Sequence, residues 1–175
     1  MKFEIYYLII FSFVFSSCST KQSSYEKTDN LKYLGYYKIE GDSLIIPKFE
    51  IEVRLSKKAE SKILKDKETL IVRAKFVGIP KDTTLTEYLK FGCVQVTDKN
   101  IELVKKRKAI FQGIKFSKLA YESLSEKDIV LIINVYTGRK SSRYNLINCD
   151  LLEDNLSKIK NKRFIINGTL IGGDK

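Results

Sequence analysis

The sequence predicts an all-β fold with minor short helices, and three observations lead to this prediction. Several runs alternate apolar and polar residues, which is the pattern of strands with one buried face. Turn signals rich in Gly, Pro, Asp and Asn separate these runs. The helical patterns between them are too short to be stable alone, so they must pack against the strands.

The first two strands have the clearest alternation. Residues 44–55 end in a strict alternation of apolar and charged side chains, and Pro47 predicts a break or an edge position near the start. Residues 68–77 repeat the pattern. Between them, Ser56 is a good N-cap for a short helix over residues 56–67, which would cross from one strand to the next.

Further strands follow in the middle of the chain. A loop is predicted at residues 79–90, and the pattern of residues 92–97 predicts a strand. The Asp-Lys-Asn sequence at 98–100 predicts a turn, so residues 101–104 are expected to pair back as a hairpin. Residues 109–116 form another predicted strand, interrupted by a glycine.

The last third contains the most apolar run after the N-terminal segment, at residues 128–136. Its composition suits a central strand covered on both faces. A loop at 137–145, a strand at 146–152, a helical turn at 153–160 and a closing strand at 163–171 complete the pattern.

Seven or eight strands with short helices indicate an antiparallel β-sandwich of immunoglobulin-like or transthyretin-like shape, with a barrel as the main alternative. The domain is predicted to span residues 32–175. Its chain length suits a single core, and a hydrophobic content of 43% is ordinary for a globular protein. The sequence has no Trp, so the buried Trp typical of true immunoglobulin domains is absent.

The N-terminal stretch at residues 5–15 is almost wholly apolar, yet it is too short to cross a bilayer as a helix. The small residues Ser16 and Ser17 and then Cys18 follow it. The stretch resembles a bacterial lipoprotein signal peptide, which implies a signal at residues 1–17. The alternative interpretations are an ordinary secretory signal, an uncleaved anchor or a short buried helix.

The resemblance implies a lipidated Cys18 as the first mature residue and a flexible tether at residues 18–31. The expected location is the cell envelope, lipid-anchored, at the outer membrane facing the periplasm. Ser19, where an Asp would retain the protein in the inner membrane of enteric bacteria, permits that sorting. The membrane is therefore the first expected partner, reached through the lipid anchor.

The net charge of +11 is compatible with an acidic protein partner, with phosphate-rich glycolipid or with anionic lipid headgroups, and a protein partner is the one we predict. Lysines scattered over solvated faces by a biased codon usage would explain the same charge. No nucleic-acid partner is predicted, because an exported lipoprotein rarely meets one. Two basic runs are the candidate partner-binding surfaces, although each is also a plausible solvated charge run. Their residues are Arg139, Lys140, Arg143 and Tyr144, and then Lys105, Lys106 and Arg107.

The sequence contains no His, which removes Ser-His-Asp and Cys-His catalysis and most zinc sites. Ser-x-x-Lys spacings occur at residues 24–27 and 157–160, as often as chance predicts. Asp150, Glu153 and Asp154 cluster without a calcium-loop pattern. We therefore expect no catalytic residue, no metal site and no cofactor.

Cys93 and Cys149 remain as an even pair if Cys18 is lipidated. A disulfide between them would close a loop of roughly 55 residues and stabilise the fold by about 4 kcal/mol in the chain-entropy model. Two free thiols on unrelated strands are the alternative.

These features predict a non-catalytic protein-binding module on the membrane. Anchor and architecture resemble the lipoprotein of type VI secretion systems, which implies a role in envelope assembly. The alternative is a periplasmic immunity protein that inhibits a toxin. An enzyme using carboxylates or a Ser-Lys dyad is the third reading.

Overall fold

The computed structural model describes residues 36–173 of the chain, and the predicted signal peptide, Cys18 and tether lie outside this range. The strands are β1 (Lys38–Glu40), β2 (Ser43–Ile45), β3 (Phe49–Leu55), β4 (Leu70–Gly78), β5 (Val94–Leu103), β6 (Lys108–Phe111), β7 (Lys115–Ser117), β8 (Val130–Thr137), β9 (Ile147–Cys149), β10 (Leu152–Asn155) and β11 (Arg163–Leu170). The helices are α1 (Lys57–Lys65), α2 (Thr86–Phe91) and α3 (Lys118–Glu122), with a 3₁₀ turn at Leu156–Lys158. Within residues 36–173 no helix is long and apolar enough to cross a membrane.

Two four-stranded sheets make up the sandwich. One has the strand order β10-β8-β4-β5 and is antiparallel throughout, and the other has the order β6-β3-β11-β9. A three-stranded sheet, β1-β2-β7, adds its buried residues to the same core. The predicted all-β sandwich is confirmed. One pair departs from a purely antiparallel arrangement, because β11 lies parallel to β3.

Aromatic side chains join the sheets at the centre of the core. Phe49 of β3 stacks on Phe111 of the neighbouring β6, with ring centroids 4.8 Å apart. Phe76 of β4, in the facing sheet, meets Phe49 edge-on at 6.3 Å. All three side chains are fully buried, so the alternation read from the sequence identifies the core-facing side of β3 and β4.

Helix α1 crosses from the second sheet to the first, as its capping residue predicts. The Ser56 side chain accepts a hydrogen bond from the Ala59 backbone N–H at 3.1 Å. Ala59 and Ile63 are its buried residues, while the lysines of α1 face solvent. Packing of this one face holds a helix too short to be stable alone.

Several local predictions are wrong. Helix α2 occupies the end of the loop predicted at 79–90, and strand β10 occupies the start of the helical turn predicted at 153–160. β5 is one continuous strand of 10 residues rather than a hairpin turning at 98–100. It pairs along β4, and Arg73 of β4 donates to Asp98 of β5 at 2.8 Å, so cross-strand contacts override the local turn signal. β8 is central, as predicted, but its outer face is not covered, since Asn134 is exposed and Ile132 is half-buried.

The two ends of the sandwich are defined by the start and the finish of β4. At one end β4 begins at Leu70, which pairs with Leu103 of β5 and with Thr137 of β8. We call this the loop end. At the other end β4 finishes at Gly78, beside Val94 of β5. We call this the entry end, because the described chain enters there.

Candidate functional site

The basic run predicted around Arg139 forms the connection from β8 to β9 at the loop end. This segment, residues 138–146, is called the basic loop here, and it passes from one sheet to the other. Glycine is required at its first position. A Cβ on Gly138 would lie 2.0 Å from the Thr69 hydroxyl oxygen, so any side chain would displace the loop from the start of β4.

A buried carboxylate fixes the basic loop. Glu68 is only 3% exposed and lies between α1 and β4. The backbone N–H groups of Thr69 and Lys140 each donate to its Oε1 at 2.9 Å. The N–H and the hydroxyl of Ser141 both donate to its Oε2 at 2.8 Å. Both oxygens are therefore satisfied by the loop and the strand.

The protonation state of Glu68 follows from these contacts. Burial raises the pKa of the carboxyl group, but the hydrogen bonds from Lys140, Ser141 and Thr69 outweigh burial and lower it to about 2. The group is ionised at every pH above the acid range. It therefore acts as a permanent anionic clamp for the basic loop.

The far side of the basic loop is fixed by a second set of hydrogen bonds. The Asn145 side-chain oxygen accepts from the Thr137 N–H at 3.0 Å, and its amide donates to the Ile147 carbonyl at 2.7 Å. The Leu146 N–H donates to the Thr137 hydroxyl at 3.3 Å. Both sides of the basic loop are thus tied to strand ends, which leaves its tip as the displayed part.

The tip displays the residues that the sequence singled out. Arg139 is held in a left-handed backbone conformation, with φ of 59°. The Arg143 guanidinium lies 4.7 Å from the centre of the exposed Tyr144 ring. Lys140 forms an ion pair with Glu102 at 3.4 Å. The basic loop therefore presents two arginines and a tyrosine on a fixed backbone, the residue types enriched at binding hot spots.

An open cavity of about 460 Å³ lies between the basic loop and the outer face of the first sheet. Arg139 and Asn145 line it from the loop, and Arg73, Asn134 and Tyr136 line it from the strands. Arg73 already holds Asp98 through Nε at 3.1 Å and Nη2 at 2.8 Å. Guanidinium and amide donors around one cavity suit a carboxylate or a phosphate.

Sequence reasoning missed this sheet-face half of the cavity. Arg73, Asn134 and Tyr136 look like ordinary solvent-facing strand residues, because alternation alone puts them on the exposed face. What makes them neighbours is the pairing of Arg73 with Asn134 across β4 and β8. Glu68 was missed for a similar reason, since its partners lie more than 70 positions away along the chain.

The second basic run emerges at the same end as the basic loop. It follows Leu103, the last residue of β5, and the basic loop follows Thr137, the last residue of β8. Both of these residues pair with Leu70 at the start of β4. Lys105 and Lys106 are exposed. Arg107 differs from these two lysines, because its side chain is only 17% exposed and forms an ion pair with α1.

The Arg107 guanidinium donates to Glu60 of α1 through Nε at 3.0 Å and Nη2 at 2.9 Å. Its Nη1 is buried without a hydrogen-bond partner within the described part of the chain. These contacts make Arg107 a clamp between the β5–β6 connection and α1. The accessible cations of this run are Lys105 and Lys106.

The disulfide alternative does not fit the structure, in which Cys93 and Cys149 are free thiols. Cys93 precedes Val94 at the entry end, whereas Cys149 belongs to β9 in the other sheet. β9 begins two residues after Asn145, and the Asn145 side chain is hydrogen-bonded to Thr137 at the loop end. The length of β4, about 26 Å at 3.3 Å per residue, separates the two ends and exceeds the reach of a disulfide.

The residues considered for catalysis make structural contacts. The Ser157 hydroxyl donates to Asp128 at 2.8 Å, and the Asn167 side chain donates to Asp150 at 3.0 Å. Asp154 forms an ion pair with Lys158 at 3.2 Å. Among residues 36–173 no group of three or more His, Cys, Asp or Glu side chains is arranged to hold a metal ion.

No protein-family model, curated protein or solved structure matches the chain. The candidate site is therefore defined by the geometry of the loop end alone.

Proposed function

We propose that the chain is a membrane-anchored envelope lipoprotein whose sandwich is a non-catalytic module for binding an acidic protein surface. The observation that carries this proposal is the fixed basic loop. Glu68 and Asn145 hold its backbone from both sides, while the side chains of Arg139, Arg143 and Tyr144 are exposed. A surface ordered before binding loses little entropy when a partner docks.

The charge distribution at the loop end supports an acidic partner. Lys105 and Lys106 are exposed at the same end as the basic loop, so both basic runs add positive charge to the loop end. Positive potential of this kind steers an acidic partner towards the surface and makes association salt-dependent. We favour a role as a component of an envelope assembly.

The test captures partners with the full chain, purified in detergent, from envelope extracts of the bacterium that encodes it. The loop variant is Arg139→Glu/Arg143→Glu. The matched control is Lys160→Glu/Lys162→Glu, which changes the net charge equally at exposed positions next to β11. The proposal expects a stoichiometric acidic protein that the loop variant loses and the control retains.

Three outcomes refine or reject the proposal. Recovery of several envelope proteins together supports an assembly role, whereas recovery of one toxin-like protein turns the module into an inhibitor. Equal capture by the loop variant and the control would reject the basic loop as the binding surface.

The anchor needs its own test. Mass spectrometry of the N-terminal peptide from membranes should show a lipid-modified Cys18 as the first residue. The Cys18→Ser variant should lose that modification. An unmodified N-terminal peptide beginning at Met1 would reject the anchor.

A further inference from the structure

Helix α2 at the entry end carries an unusual set of exposed apolar side chains. None of its residues is buried, in contrast to α1 and α3. Leu89 is 73% exposed, Phe91 is 61% exposed, and Leu85 just before the helix is 43% exposed. Single exposed apolar residues are ordinary, but here three occur within seven consecutive residues, and we call them the apolar tip.

The tip is nevertheless held in place by its backbone. The Gly92 N–H donates to the Tyr88 carbonyl at 2.7 Å, with Gly92 in the left-handed conformation that ends helices. The Glu87 carboxylate accepts from the Gln95 N–H at 3.0 Å, which ties α2 to β5. The apolar side chains therefore project from an ordered helix.

Two lysine side chains lie beside Phe91 of the apolar tip. The Lys90 ammonium lies 5.1 Å from the centre of the Phe91 ring, and that of Lys75 lies 6.0 Å from it. Lys81 is exposed shortly before the helix. An apolar tip with lysines beside it is the composition of segments that lie in the boundary between headgroups and acyl chains.

The described chain also begins at this end. Tyr37 packs edge-on against Tyr121, with centroids 5.5 Å apart, and its hydroxyl donates to the Lys127 carbonyl at 3.5 Å. The segment that contains Tyr121 and Lys127 is joined to the end of β4, since the Ser125 N–H donates to the Ile79 carbonyl at 2.8 Å. Tyr37 therefore lies at the same end of the sandwich as α2.

We propose that α2 is a membrane-contact site, with Leu85, Leu89 and Phe91 inserted into the boundary of a lipid bilayer. The proposal rests on the anchoring part of the proposed function. The residues that precede Tyr36 join the domain at the entry end, and the predicted lipidated Cys18 is among them. The chain between Cys18 and Tyr36 spans at most about 60 Å when extended, and because it joins the domain at the entry end, α2 can reach the bilayer without the domain turning over.

Apolar insertion, rather than attraction to anionic lipid, is the expected driving force. Glu126, Asp128 and Glu153 line a groove that Phe91 also borders, and they offset the lysines nearby. The contact should therefore form on a bilayer of neutral phosphatidylcholine. It would leave the basic loop, at the opposite end of β4, facing away from the membrane.

The absence of Trp from the chain gives a direct test, because a single introduced indole is the only one. The Leu89→Trp variant places it on α2, and the matched control Tyr144→Trp places it on the basic loop. Both positions are strongly exposed, so neither change disturbs the core. Each full chain is reconstituted into phosphatidylcholine vesicles with and without bromine-labelled acyl chains.

The proposal expects the Leu89→Trp emission to shift to shorter wavelength and to fall about twofold or more with brominated lipid, because its indole enters the acyl boundary. The Tyr144→Trp emission should stay unchanged. Equal behaviour of the two variants on vesicle-bound protein overturns the membrane contact and leaves the anchor standing. Protein that does not float with the vesicles overturns the anchor and the membrane contact together.

Discussion

Replacing Glu68 by Gln removes the charge of the clamp and keeps its size. A carboxyl group whose pKa falls from 4.5 to about 2 on folding stabilises the folded state, and the difference corresponds to about 3 kcal/mol at pH 7. In the variant, the amide NH₂ group would also face the Lys140 or Ser141 N–H group, which in the wild type donates to a carboxylate oxygen. We therefore expect Glu68→Gln to lower the free energy of unfolding by about 3 kcal/mol at pH 7.

The pH dependence separates this mechanism from a simple packing defect. A lowered pKa contributes stability above the unfolded-state value near 4.5, and this stability is lost as the pH falls towards 2. The difference between wild type and Glu68→Gln should shrink to about 1 kcal/mol at pH 3. Urea unfolding at pH 7 and pH 3 measures both values. A difference below about 0.5 kcal/mol at pH 7, or one equal at both pH values, would refute the reasoning.

Three further predictions concern the core, a cap and a thiol. Phe49→Ala should cost about 3–5 kcal/mol in urea unfolding, since it removes the ring that contacts both sheets, and a cost near 1 kcal/mol would contradict that central position. Ser56→Ala should cost about 1 kcal/mol through the lost cap of α1, while Ser56→Thr should cost less, and equal losses would argue against capping. Burial, with a smaller effect from Asp150, raises the pKa of Cys149 to about 11, so at pH 8 its thiol should react with an alkylating reagent far more slowly in the folded chain than in urea. Equal alkylation rates, or a Cys93–Cys149 disulfide found by mass spectrometry, would contradict the structure.

The elements that the sequence predicted well are those whose signal is local. Alternation located β3 and β4, and Pro47 lies in the break between β2 and β3. Ser56 marked the start of α1 because capping depends on atoms three residues apart. In each case the physics that decides the structure is contained in one short stretch.

The elements that were mispredicted depend on distant contacts. The turn predicted at 98–100 does not form, because this stretch pairs with β4. Arg73 of β4 binds Asp98, although the two residues lie 25 positions apart. Helix α2 gave no signal, since it has no side-chain cap hydrogen bond and no buried face. The basic loop was visible as a cluster of Arg and Lys, but nothing near Glu68 in the sequence indicates that it holds that loop.

The parallel pairing of β3 with β11 governs when this protein can fold. Ile51 and Phe164, in register in that pair, lie roughly 110 residues apart, so the middle of one sheet joins two strands that are distant along the chain. Until β11 arrives, β9 lacks its partner and one edge of β3 stays open. A nascent chain therefore cannot close its core while its C-terminal strand is still being made. Closure of this sheet is therefore one of the later steps of folding, because it waits for β11 and for the contacts that β11 makes on both of its sides.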